Sequence, residues 1–270
     1  MPTRGGPARK VVPSLANPIL RAAKPFVVSA RGTWLVASDF HFPFHDRTTI
    51  ELAMKLAKER DVRGILLNGD IHDYHELSRW DKSPDDPRYV LEVRMVRNFL
   101  AYLRKRFPSR ERTRIVWRDG NHEERLLHYL AAKAPALFGL DVLEIPNLLH
   151  FKELGVEYVS DRRVIRMGHL SVIHGHEYRP AIQAPVNPAR GLFLRAKSSV
   201  LTGHFHQVSE HHEPDILGKQ RGAWSVGCCC QLNPYYMPLN RWCAGFAFVE
   251  IMRDGRFSVE NLRVIDGKVV

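Results

Sequence analysis

Three short apolar runs alternate with stretches of helical spacing, and this alternation constrains the fold more than any other feature of the chain. Thr33–Ser38 (TWLVAS), Gly64–Asn68 (GILLN) and Arg114–Arg118 (RIVWR) each read as a buried strand. After the first, Ile50, Leu52, Ala53, Leu56 and Ala57 recur at helical spacing within Thr49–Arg60. A long helix is expected over Arg88–Phe107, ending before Pro108, and another over Glu123–Lys133. A βαβαβα order predicts a parallel sheet with helices packed on it. The second half reads differently, as short strands near Val156–Ser160, Val164–Met167, Leu170–His174, Ser199–Gly203 and Ala223–Val226. Two longer strands, Ala244–Met252 and Arg256–Val264, are joined by an Asp-Gly turn at 254–255. The expected class is therefore α/β, a four-layer αββα sandwich with two mixed sheets face to face and helices outside.

Charge is uneven along the chain. The net charge is +11, yet residues 1–31 carry six basic residues and no acid, and residues 94–118 carry nine basic residues against Glu111. Those segments hold +6 and +8, which leaves −3 for the remainder, where most of the 14 His lie. Five prolines within residues 1–31 argue against a helix, so 1–32 is expected to be a basic, Pro-rich arm and 33–270 a single domain. Residues 94–118 read as a solvated helix face plus a loop, or as an electrostatic track for nucleic acid. No run approaches the roughly 18–20 apolar residues of a membrane span. Hydrophobic content of 44% supports a sizeable core and excludes collagen-like, low-complexity and fully disordered classes. Four Cys form no disulfide framework, so a reducing compartment, the cytoplasm, is expected. Cys228, Cys229 and Cys230 alternate across a strand and read as small buried residues rather than metal ligands.

Each early strand ends in metal-ligand residue types. The first ends in Asp39 and His41, the second in Gly69 and Asp70, and the third in Gly120, Asn121, His122 and Glu123. Later come His174-Gly175-His176 and Gly203-His204-Phe205-His206. In a parallel sheet all carboxyl ends lie on one edge, where such folds place their sites. Carboxylate, imidazole and amide oxygen together suit borderline-to-hard divalent metals.

The series D-x-H, G-D, G-N-H-E, H-G-H and G-H-x-H resembles the calcineurin-like metallophosphoesterases, most closely their phage-type members, from about Leu35 to His206. The resemblance implies two divalent ions per chain, with manganese favoured among Mn, Fe, Zn, Ni and Co. It assigns one ion to Asp39, His41 and His206, the other to Asn121, His174 and His204, with Asp70 between them. His176 is the alternative to His174, or a substrate contact. It further implies that a hydroxide bridging the ions attacks phosphorus in line. His122 would then protonate the leaving alkoxide, its other ring nitrogen held by Asp73. Protein-phosphatase members carry an Arg directly after that acid, where this chain has Tyr74; the change favours a phosphodiester, with Tyr74 and Arg125 as expected substrate contacts and Arg125 a partial substitute for the missing cation. His45, His72 and His75 flank the motifs as rim residues. The expected function is a metal-dependent phosphodiesterase acting on a phosphodiester, with a nucleotide or nucleic acid as partner. The alternatives are a broad phosphomonoesterase, a nuclease, or a nucleic-acid-binding module with a vestigial site.

Overall fold

The computed structural model describes residues 24–160, 162–178 and 186–270. In chain order the strands are β1 (Phe26–Val28), β2 (Gly32–Ala37), β3 (Gly64–Asn68), β4 (Arg114–Arg118), β5 (Val156–Val159), β6 (Ile165–Met167), β7 (Leu170–Val172), β8 (Val200–Thr202), β9 (Ser209–Pro214), β10 (Gln220–Ser225), β11 (Ala244–Ile251), β12 (Phe257–Ile265) and β13 (Lys268–Val269). The helices are α1 (Arg47–Glu59), α2 (Tyr89–Arg106), α3 (Glu124–Lys133), the single turns α4 (Ile145–Leu148) and α5 (Phe151–Leu154), and α6 (Pro188–Ala196). One sheet runs β13-β12-β11-β2-β3-β4-β5 and the other β1-β6-β7-β8-β10-β9. Both are mixed: β2 through β5 pair in parallel, while β11 lies antiparallel to β2.

The period of two along each strand produces the layers. Trp34, Val36, Leu66 and Val116 face the second sheet, where they pack with Val28, Ile165, Met167, Val172, Leu201 and Trp224. Their neighbours Leu35, Ala37, Ile65, Leu67, Ile115 and Trp117 turn the other way, onto Ala53 and Met54 of α1 and Val96, Leu100 and Leu103 of α2. On the far face of the second sheet α6 contributes Ala189 and Leu192 to a smaller cluster with Ile173, Val200 and Ala223. The result is the four-layer αββα sandwich. Helix α1 starts where the Asp46 carboxylate accepts from the Thr48 and Thr49 amides, at 3.0 and 3.4 Å.

Six elements lie outside the sequence expectation: β1, β9, β13, the single turns α4 and α5, and α6. Strand β1 pairs in parallel with β6, so residues 26–28 of the expected arm belong to a sheet. The rest of that arm, residues 1–23, lies outside the described residues. Strand β9 (SEHHEP) is a polar edge strand without an apolar alternation, and α6 carries Gly191 inside a short apolar pattern. Among the described residues, no helix is long and apolar enough to cross a membrane.

Six of the nine basic side chains of segment 94–118 find partners within the chain, two of them, Arg110 and Arg112, at the exposed surface. Arg97 and Arg110 donate to the carbonyls of Leu148 and Glu153, and Arg104 to those of Leu154 and Gly155 at 2.8 and 3.1 Å. Arg112 pairs with Asp61 at 2.7 Å and Arg114 with Glu157 at 2.6 Å, while Arg118 is buried against Glu177. These side chains cap the carbonyl ends of α4 and α5 and tie β4 and β5 together. Arg112 and Arg114 sit at the amino end of β4, opposite the edge that carries the histidines.

Candidate metal centre

At the carboxyl edge of β2, β3 and β4 the chain leaves each strand through a sharp turn. Asp39, His41 and Asp70 adopt left-handed backbone with φ of 58°, 49° and 53°, and His204 and His206 do the same at 68° and 55°. Non-glycine residues rarely hold this conformation, and its cost of about 1–3 kcal/mol each concentrates at functional sites. The Gly203–His206 segment is therefore not extended. The turns also set the glycines. A Cβ on Gly69 would lie 2.5 Å from His174 Nδ1, and one on Gly120 would lie 2.2 Å from Asp70 Oδ1.

These turns bring the expected ligands onto one floor. His206 Nε2 lies 3.2 Å from Asp39 Oδ1 and 3.2 Å from His41 Nε2. His174 Nε2 lies 3.2 Å from Asp70 Oδ2, which is 3.9 Å from His41 Nε2, so Asp70 stands between two groups of donors. Asp70, His174 and His204 have donor atoms within 4.8 Å of one another, as do His41, Asp70 and His122. Main-chain amides fix the other carboxylate oxygens: the His122 amide donates to Asp70 Oδ1 and the His204 amide to Asp39 Oδ2, both at 2.9 Å. His174 Nδ1 donates to the Asn68 carbonyl at 2.7 Å, which turns Nε2 toward Asp70.

The donor set fits divalent cations on two observations. Asp39 Oδ1, Asn121 Oδ1 and His174 Nε2 are buried and lack a hydrogen-bond partner. The electrostatics also call for positive charge. Burial by itself would raise Asp39, Asp70 and Asp73, yet neighbouring imidazoles hold all three below the usual carboxylate range. Burial opposes charge on His174, but Asp70 lifts it to about 9, and Asp39 raises His206 in the same way. Burial and the charge of His174 push His204 down to about 4, so its lone pair is free to ligate.

The flanking residues differ from expectation in several ways. Asp73 Oδ1 is 3.0 Å from His41 Nδ1 and 3.4 Å from His122 Nδ1. The nearer partner of His122 Nδ1 is the Asp73 carbonyl, at 2.7 Å, so the main chain holds that imidazole while the carboxylate serves His41 first. Arg125 donates to the same carbonyl at 2.7 Å and to His122 Nε2 at 3.0 Å. Burial tends to lower His122, but Asp70 and Asp73 outweigh it and the net direction is upward. Tyr74, expected at the substrate, is fully buried with its ring 4.2 Å from that of His72, because its left-handed backbone (φ 51°) turns the side chain into the core. His72, expected at the rim, is equally buried, beneath Glu123. His176 turns from the floor toward Glu124, 3.0 Å away.

Three features escaped the sequence. Glu123 is buried and accepts from the amides of Asp70, Ile71, His72 and Gly120 at 2.8–3.0 Å, shaping the turn that presents Asp70. Its place in the G-N-H-E motif was the available signal. Cys230 Sγ stands 3.9 Å from His206 Nδ1 and, with His41 and His206, forms a third cluster within 4.8 Å, which adds a soft donor where none was expected. An aromatic rim of Trp80, Tyr235, Tyr236 and Trp242 borders the cavity above the floor, and the loop sequence N-P-Y-Y-M-P was its one trace.

No protein-family model and no curated protein matches the chain. Among solved structures it is similar to a Vps29 single mutant from Entamoeba histolytica, at 14% identity over 88% of this chain and 96% of that one, with a TM-score of 0.44. It is also similar to the phosphoesterase Yfce from E. coli, at 13% identity over 84% and 98%, with a TM-score of 0.39. A cold-active protein-tyrosine phosphatase of a psychrophile, Shewanella sp., gives 11% identity over 88% and 82%, with a TM-score of 0.38.

Proposed function

We propose that this chain is a metal-dependent phosphoesterase that hydrolyses phosphodiesters. One observation carries the reading: Asp39, His41, Asp70, Asn121, His174, His204 and His206 lie at neighbouring strand ends, three of them (Asp39, Asn121 and His174) with buried donor atoms that lack a hydrogen-bond partner, and Asp70 lies between the two groups. Asp39, His41 and His206 would hold one divalent ion, Asn121, His174 and His204 a second, and Asp70 would serve both. Such ions, when bound, neutralise phosphoryl charge and acidify a water molecule.

The remaining work falls to the chain's own side chains. Arg125 lines the cavity and is the cation that meets the phosphate. In doing so it leaves His122 Nε2, which can then carry the proton needed by the leaving alkoxide. Asp73 keeps His122 in register through its carbonyl and holds Nδ1 of His41 through its carboxylate. The preference for a diester rests on the charge of the lining. Arg125 is its one Lys or Arg among the described residues, and Asp81 adds a carboxylate at the rim, a balance suited to a monoanionic phosphate.

Turnover of bis(p-nitrophenyl) phosphate and of p-nitrophenyl phosphate, each assayed with Mn, Ni, Co, Zn or Fe, tests both parts. The diester is expected to turn over faster. A faster monoester reverses the diester preference, and no turnover with any metal defeats the phosphoesterase reading.

A further inference from the structure

We infer that the cavity accepts a nucleoside-bearing phosphodiester and that Trp80, Tyr235, Tyr236 and Trp242 form the wall against which its base is held; the inference rests on the phosphoesterase reading above. Two loops far apart in sequence build this wall, one following the Asp70 turn and one preceding β11, and they meet beside the metal floor. The cavity they border measures about 550 Å³, ample for one nucleotide. Trp80 is 60% exposed, Tyr235 79% and Tyr236 63%. Large aromatic faces left in water next to a polar floor mark a binding surface. Trp242 joins wall to floor, its ring 4.2 Å from that of His206. The Tyr235 and Tyr236 rings stand 5.7 Å apart at 87°, offering a face and an edge to a planar group.

The composition of the lining selects the class of ligand. Among the described residues it contains no Leu, Ile or Val, and Met237 is its one aliphatic side chain, so an alkyl or acyl ester finds little to pack on. A nucleobase stacks on aromatic rings irrespective of its identity. Its edge can meet His75 and Asp81 at the rim. Among the described residues the lining holds a single guanidinium, that of Arg79 lies over the Trp80 ring at 5.1 Å, and Arg112 and Arg114 lie paired at the opposite edge of the sheet. That distribution suits one or a few nucleotides better than a long polyanion.

The test compares two diesters with a common leaving group, thymidine 5′-(p-nitrophenyl) phosphate and methyl p-nitrophenyl phosphate. The nucleoside ester is expected to have a kcat/KM about tenfold or more above the methyl ester, mostly through KM, and Trp80→Ala or Tyr236→Ala should bring that ratio toward one. Equal kcat/KM values in the unaltered protein, or a ratio that survives in both variants, overturns the inference. A titration with thymidine 5′-monophosphate, read by tryptophan fluorescence, decides the matter without catalysis. Saturable quenching that Trp80→Ala weakens supports the wall, and no quenching overturns it. Absent turnover of both esters would defeat the phosphoesterase reading, while the titration would still judge the wall.

Discussion

At the scale of single residues the site is decided by which atom of each side chain is already engaged. His122 is held at Nδ1 by a main-chain carbonyl and at Nε2 by Arg125, so it has no lone pair to spare for an ion unless Arg125 leaves. His174 is the opposite case, fixed at Nδ1 with Nε2 open toward Asp70. Under the proposed function these contrasting states make His122 the proton donor and His174 the ligand, although both imidazoles lie near Asp70. His122→Ala should therefore lower turnover of esters with poor leaving groups by roughly 10²–10⁴-fold, with two metal ions per chain retained. Metal content measured on the purified variant distinguishes the roles, since loss of an ion would make His122 a ligand.

Among elements, the strand-end turns do most to assemble the floor. Each left-handed residue redirects the chain so that side chains from β2, β3 and the β8 edge meet, and the strain must be offset locally. Glu123 offsets it at the Asp70 turn. One buried carboxylate gathers four amides from two loops, and the Glu123→Gln amide can accept through only one of its two terminal atoms. The variant is expected to lose about 3 kcal/mol of unfolding free energy, the worth of one or two hydrogen bonds to a charged group. Denaturant titration measures this, and a loss under about 1 kcal/mol would show that the turn is held by packing alone. Glu177 plays a comparable part at the H-G-H turn, accepting from the Gly175 amide at 2.7 Å while paired with buried Arg118.

For the whole molecule, the two sheets bury an apolar layer between them and leave Asp39, Asp70 and Asp73 buried among histidines at one edge. The protein is therefore stabilised against its own site by whatever positive charge occupies it. Adding Mn²⁺ should raise Tm, and chelation should lower it. A hundredfold excess over Kd contributes about 2.7 kcal/mol. A shift of about 5 °C or more is expected for a domain of this size. A Tm indifferent to both treatments would contradict a built cation site. The net charge of +11 takes on a different meaning at this scale. Much of residues 94–118 neutralises carboxylates and caps carbonyls within the chain, so the excess is partly structural.

By itself the sequence marked the α/β order, the bounds of β3 and β4 and the metal-ligand residue types at the strand ends, while it misjudged the lengths of β7, β8 and β10. Buried strands demand continuous apolar runs, and strand ends carry distinctive residue types, so both leave a local mark. The edge strand β1, three residues long in a Pro-rich stretch, and the polar strand β9 leave none, because an edge needs neither length nor an apolar face. Only the tertiary structure decided where side chains point once the backbone turns. Tyr74 and His72 sank into the core, His176 turned to Glu124, and Asp73 met His122 through its carbonyl. It likewise brought Cys230 to His206 and joined Trp80 to Tyr235 and Tyr236, residues more than a hundred positions apart. Such contacts depend on loop paths and left-handed turns, which are set by the packing of the whole sandwich and not by the residues on either side.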